Sequence, residues 1–240
     1  AIATRLMKKL GESAAGARMD GQTAGAGFET LTLGFLQETF LRFGSVRCGR
    51  FEVKRNAPIK DFDQYRHLAE IEAVAARNDE LRVALGMDYL VQPDVVIIRH
   101  PDSDEVVNTG SRLLDPSVAT RSPLRASNDQ APTLHASVSC KWTLRSDRAQ
   151  NARSEALNLI RNRKGRLPHV VVLTAEPSPG RISSLALGTG DIDCVYHIAL
   201  EQLIESVAEV GTGRAKDTLR LMVEGRRLRD LTDLPLDLSV

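Results

Sequence analysis

The chain predicts an α/β fold, a central mixed β-sheet flanked by helices, on three observations. Apolar, β-branched runs of strand length alternate with segments of helical period. Of the 240 residues, 42% are hydrophobic and 26% charged, a globular composition with enough chain to bury a substantial core. No internal repeat or interdomain linker interrupts the pattern, so residues 1–240 read as a single domain. The chain begins at Ala1 and not at methionine, which predicts natural residues before it.

The elements follow in order. Residues 28–43 set Phe28, Leu31, Phe35, Leu36, Phe40 and Phe43 at helical spacing ahead of Gly44, a helix stop. Residues 61–76 repeat that period through Phe62, Tyr65, Leu68, Ile71 and Val74, and residues 79–86 read as one more short helix. The apolar run 89–99 predicts a buried strand, in which Pro93 fits only at a start, an edge or a bulge. Residues 101–132 are rich in Pro, Ser, Asp and Asn and have no period; a loop of that length in a compact domain is functional or disordered. Residues 134–144 alternate as a strand. Ser146 is placed to cap a helix reaching Asn162, with Ala149, Ala152, Ala156, Leu159 and Ile160 on its buried face. Residues 169–175 predict a strand, and residues 191–200 a strand leading into a helix.

Several classes of function lack their signatures. No apolar run approaches the ~20 residues needed to cross a bilayer. Cys48, Cys140 and Cys194 are odd in number and widely spaced, neither a disulfide framework nor a zinc pattern, and predict a reducing cytoplasm. The five histidines show no i, i+4 pairing. Gly188-Thr189-Gly190 lacks the Lys-Ser/Thr of a phosphate-binding loop and reads as a turn, and no Gly-x-Ser-x-Gly elbow occurs.

Charge is concentrated. Residues 141–166 hold eight lysines and arginines against two acids, six positive charges in excess, in a chain of formal charge +1. A dense basic block in a mildly acidic body suits contact with a polyanion, although a solvated helix face has the same composition.

The segment Ser139-Cys140-Lys141-Trp142-Thr143-Leu144-Arg145-Ser146-Asp147-Arg148, with Glu155 beyond it, carries the chemistry. An apolar run ends in Lys141, a carboxylate follows on a predicted helix, and Asp94 ends an earlier apolar run. Carboxylates holding a hard divalent cation beside a lysine make a phosphodiester-cleaving site. Asp94 and Glu155 are the candidate ligands, Lys141 the cation for the phosphate or the attacking water, and Glu29 a possible third acid. Arg145, Asp147 and Arg148 suit a second task. Arginine bonds bidentately to guanine O6 and N7, whereas a carboxylate accepts from cytosine N4 and is repelled by phosphate. At a helix start in the major groove the three would read G and C, in a palindrome such as CCGG for a symmetric dimer. The ordinary alternative is a helix cap with an Arg–Asp ion pair.

The run from His135 to Glu155, continued by Arg161-Asn162-Arg163-Lys164-Gly165-Arg166-Leu167-Pro168-His169, resembles the NgoMIV-like type II restriction endonucleases, the CCGG-recognising group of the PD-(D/E)xK superfamily. So do Gly21-Gln22-Thr23 with Phe28-Glu29, Thr174-Ala175-Glu176-Pro177, Ala186-Leu187-Gly188-Thr189-Gly190 and Asp233-Leu234-Pro235-Leu236-Asp237-Leu238. The resemblance implies a restriction-endonuclease-like fold and Mg²⁺-dependent double-strand cleavage, with two ions per active site. It makes Asp94 and Glu155 metal ligands together with the backbone carbonyl of Cys140, Lys141 the catalytic lysine and Glu29 an auxiliary acid. Ser139 stands where the broad superfamily has an acid; in this group the helix supplies that carboxylate, here Glu155. Arg145, Asp147 and Arg148 are implied to read the CCGG core, Gln22 to approach it from the minor groove, and Arg181 to contact an outer guanine of GCCGGC. The partners implied are double-stranded DNA and further copies of the chain, as a dimer and a tetramer of two dimers, with residues 101–132 at the tetramer loop; the setting is a prokaryotic cytoplasm. The rival functions are a less specific repair nuclease of the same fold and a DNA-binding protein without catalysis.

Overall fold

The computed structural model describes residues 1–11, 21–86, 90–188 and 190–240. Among them six strands form one sheet in sequential order: β1 (Arg50–Arg55), β2 (Val95–His100), β3 (Thr133–Lys141), β4 (His169–Thr174), β5 (Cys194–His197) and β6 (Leu228–Asp230). β2 pairs antiparallel with both β1 and β3, whereas β3 to β6 run parallel, which makes the sheet mixed. The helices are α1 (Ile2–Lys9), α2 (Gly21–Glu38), α3 (His67–Ala75), α4 (Asp79–Leu85), α5 (Asp104–Val107), α6 (Ser146–Asn162), α7 (Pro179–Ala186), α8 (Leu200–Val210), α9 (Gly213–Glu224) and α10 (Leu234–Asp237). None of them is long and apolar enough to cross a membrane.

Alternation along the strands, interrupted on β3 by the register shift where Ile97 pairs with Ala136 and Ile98 with Leu134, divides the interior into two cores. Val96, Ile98, Leu134, Val170 and Val172 face one core, with Ala152, Ala156 and Leu159 of α6 and residues of α7, α8 and α9. Val95, Ile97, Ala136, Val138, Cys140, Val171 and Leu173 face the other, with Phe28 and Leu36 of α2 and Leu234 of α10. Both faces of the parallel strands are therefore covered, which is why β4 is an unbroken apolar run. The two-residue period also fixes the chemistry of β3: Cys140 points to the α2 side, so Ser139 and Lys141 point to the α6 side.

Several predicted boundaries move, each for a local reason. The strand expected over 89–99 is confined to Val95–His100; Tyr89 lies outside the described residues, and Pro93, lacking an N–H, stands just ahead of the ladder. The helix expected over 28–43 starts at Gly21 and ends at Glu38, where the Thr39 hydroxyl bonds back to Phe35 O and a 3₁₀ turn, Phe40–Arg42, follows. The helix expected over 61–76 is two 3₁₀ turns followed by α3, because the Gln64 amide leaves the helical register to bond both the N–H and the C=O of Leu134, at 2.9 and 2.8 Å. Ser146 does not cap α6: the cap position falls on Arg145, whose side chain makes no cap bond. Residues 101–132 wind around the buried Arg125, whose guanidinium meets the Asp104 carboxylate at 2.5 Å and Asp115 O at 2.9 Å. Of the Gly188-Thr189-Gly190 turn, Thr189 lies outside the described residues.

Candidate active site

The antiparallel pairing of β2 and β3 sets the start of one strand beside the end of the other, with Val95 opposite Val138. Asp94, one residue ahead of β2, thereby reaches the last residues of β3. Its Oδ2 accepts the Cys140 N–H at 2.7 Å and lies 3.0 Å from Lys141 Nζ. On α6, Glu155 follows Ala152 by three positions and precedes Leu159 by four, so it shares the buried face. The Ser139 hydroxyl donates to Glu155 Oε2 at 3.3 Å. Ser139 thus ties the Glu155 carboxylate to the end of β3.

Asp94, Lys141 and Glu155 line a cleft of about 350 Å³ together with Gln22, Glu29, Arg148 and Asn151. Glu29 reaches it from α2 and is ion-paired to Arg55 of β1, whose guanidinium also donates to the Thr30 hydroxyl at 2.7 Å. Trp142 stands edge-on to Phe28, their rings 5.4 Å apart, fastening the end of β3 to α2. A different cavity, of about 370 Å³, opens at the far end of β3 among Arg47, Arg99, His135 and Arg166 and holds none of the candidate residues.

The electrostatics of the cleft are coupled. Burial raises the pKa of Glu155; Lys141 and the Ser139 bond pull it down, Asp94 pushes it further up, and the net shift is upward. Burial works against charge on Lys141, but Asp94 and Glu155 outweigh it, so its pKa is raised and it stays cationic. Burial pushes the Cys140 thiol up to about 12, which leaves the side chain a neutral hydrophobe on the α2 side of the sheet.

A hard divalent ion fits this donor set. Two carboxylates converge on one half-buried space, and the charge of one raises the pKa of the other, a repulsion that a cation between them would remove. Among the described residues no three His, Cys, Asp or Glu side chains cluster for a metal.

The base-reading candidates sit beside this cleft. Arg148 is half-buried, its Nη1 3.4 Å from the Thr143 hydroxyl, and its other terminal nitrogen lies 3.4 Å from where a Cβ on Gly21 would stand. Arg145 and Asp147 are exposed, and among the described residues no ion pair joins them to each other or to Arg148. The cap-and-ion-pair alternative therefore has neither of its interactions. Arg145 and Arg181 line a second cleft, between α6 and α7.

The NgoMIV restriction enzyme family model matches residues 1–240. This chain belongs to the NgoMIV restriction enzyme family. It is 50% identical over 228 residues to the type II restriction enzyme NgoMIV of Neisseria gonorrhoeae, an alignment covering 93% of this chain and 80% of that protein. Its α/β fold, a mixed sheet with flanking helices, is accordingly that of a restriction endonuclease. A solved complex of the restriction endonuclease PspGI with substrate DNA is a distant likeness, at 16% identity and a TM-score of 0.37 over 96% of this chain and 68% of that one.

Within this member of the NgoMIV family, Asp94, Lys141, Glu155, Glu29, Gln22 and Arg148 come together, whereas Arg145 and Arg181 line the second cleft and Asp147 is exposed in the first turn of α6. Sequence reading missed Arg55 and the site's Asn151. Arg55 ends an edge strand, and its pairing with Glu29 joins elements far apart in the chain. Asn151 could have been found: it stands four positions before Glu155, one helical turn away on the same face.

Proposed function

We propose that this enzyme makes Mg²⁺-dependent double-strand cuts in palindromic DNA with a CCGG core, within GCCGGC, leaving 5′-phosphate and 3′-hydroxyl ends. The observation that carries the reading is the convergence of Asp94, Lys141 and Glu155 in one cleft that also admits Arg148 and Gln22. Phosphate chemistry and base contact then lie within one side-chain length of each other.

Asp94, Glu155 and the Cys140 carbonyl would hold the metal, two ions per site by family likeness. When bound, Mg²⁺ neutralises phosphate charge and lowers the pKa of water. Lys141, raised in pKa and fixed by Asp94, keeps its positive charge where the phosphate enters and stabilises the charge that builds in the transition state. Ser139 orients Glu155. Glu29 adds a negative group at the rim, held by Arg55. Asp147 between Arg145 and Arg148 makes the face poor at binding phosphate indiscriminately and suited to cytosine N4 and guanine O6/N7. Gln22 approaches from the minor groove and Arg181 contacts the outer guanine. A palindrome requires two copies of the chain, as a homodimer, and two such dimers make the tetramer.

Incubation with Mg²⁺ and plasmids that contain or lack GCCGGC tests the proposal. Discrete fragments from the first plasmid alone are expected. Smearing of both, or no cleavage of either, would rule it out.

A further inference from the structure

Beyond the end of β4, Glu176 carries a carboxylate that is 1% exposed and lines neither cleft. Burying such a group is costly unless donors satisfy it. Its donors all come from segments flanking the base-reading residues. The Leu144 N–H, adjoining Arg145, donates at 2.8 Å; the Ser178 N–H, at the entrance to α7, at 3.1 Å; and the Arg181 guanidinium at 3.5 Å. Leu144 and Arg181 meet the same oxygen, Oε2. Thr174 ties the arrangement to β3, since its hydroxyl donates to Lys141 O at 2.7 Å and accepts the Glu176 N–H at 3.1 Å.

We propose that Glu176 is a positioning residue for base recognition. Its carboxylate holds the turn carrying Arg145 and the helix carrying Arg181 at one fixed spacing, so that discrimination at inner and outer base pairs is coupled through it. This rests on the base-reading roles given above to Arg145 and Arg181. The Arg181 side chain is 59% exposed, and without an anchor a long arginine samples many rotamers. A guanidinium has five N–H donors, so one turned toward Glu176 leaves others for guanine O6 and N7. The Leu144 bond, in turn, fixes the residue from which Arg145 projects.

The test compares kcat/KM on the cognate duplex, on a duplex changed at one outer pair and on a duplex changed at one inner pair. The proteins are the parent, Glu176→Gln, Arg181→Ala and the double variant, with melting curves alongside. Glu176→Gln is expected to lower both discrimination ratios by about tenfold, the size of coupling seen between directly bonded groups. In the Arg181→Ala background it should lower only the inner ratio. Thr174→Val frees the Glu176 N–H without removing a buried charge; it should lower both ratios by less, and it serves if Glu176→Gln fails to fold. Equal loss of rate on all three duplexes, with both ratios unchanged in Glu176→Gln and Thr174→Val, overturns the role of Glu176 alone. A parent enzyme that ignores the outer pair, or Arg145→Ala that leaves inner discrimination intact, overturns the base-reading roles and this proposal together.

Discussion

The cleft proposed for catalysis and the face proposed for base reading lie side by side yet are built on opposite terms. In the cleft every charged group has a partner: Asp94 with Lys141 and the Cys140 N–H, Glu155 with Ser139, Glu29 with Arg55. On the reading face, Arg145 and Asp147 are exposed and make no ion pair among the described residues. The difference follows from what each region must recognise. A phosphodiester is the same at every step, so its attackers gain from being fixed before it arrives. A base edge needs donors and acceptors that are still free to meet it, as in the exposed Arg145 and Asp147; Arg181, with one nitrogen turned to Glu176, keeps its other N–H donors.

Removing a fixed group should therefore affect rate, and removing an open one should affect choice. Lys141→Ala is expected to have the largest effect, slowing single-turnover cleavage by about 10²-fold or more, the scale for losing one donor that stabilises transition-state charge. Binding of the cognate duplex, read by fluorescence anisotropy, should persist; a cleavage rate within a factor of two of the parent's would break the comparison. Arg145→Ala or Asp147→Ala should lower discrimination at one base pair by about 1–3 kcal/mol. Each should leave thermal stability within about 0.5 kcal/mol, because neither residue is buried or paired. A large loss of stability in either would show that the face is structural.

A smaller effect separates the regions by pH. Burial raises the folded-state pKa of Glu155 above the ordinary glutamate value of 4.5. The contribution of this group to stability is thus complete below pH 4.5 and is lost as pH rises through its native pKa. Glu155→Gln should melt higher than the parent at neutral pH without divalent ions, with the gain fading in acid. An unchanged or lower melting temperature at neutral pH would contradict the burial argument. Ser139→Ala is the smallest change. It removes a bond that lowers the Glu155 pKa, so the acid limb of the pH–rate profile should move to higher pH. The rate at neutral pH should fall by less than about tenfold, as one hydrogen bond is worth about 1 kcal/mol. An acid limb that stays in place would remove Ser139 from any role in holding Glu155.

How much could be read in advance differs between elements. β4 and α6 were legible because their patterns are set by burial, on two faces for His169–Thr174 and on one stripe for Ser146–Asn162. β1 and β6 were not. The first carries only Phe51 and Val53 between charged residues, too short a signal to stand out, and the second is three residues long. Gln64 defeated the helical reading of residues 61–76 because a side-chain amide bonding Leu134 leaves no trace in hydrophobic period.

The sequence by itself supplied Asp94, Lys141 and Glu155 as candidates, and the family resemblance linked Ser139 to Glu155. It determined the family through the long motif around Lys141. Only the tertiary structure decided that Asp94 meets Lys141 and that Glu29 is held by Arg55, since those contacts cross between strands and helices far apart in the chain. It alone placed Glu176 behind the segments carrying both Arg145 and Arg181. A buried carboxylate identifies itself by its donors, and the donors of Glu176 include a main-chain N–H thirty-two positions away that no sequence pattern records.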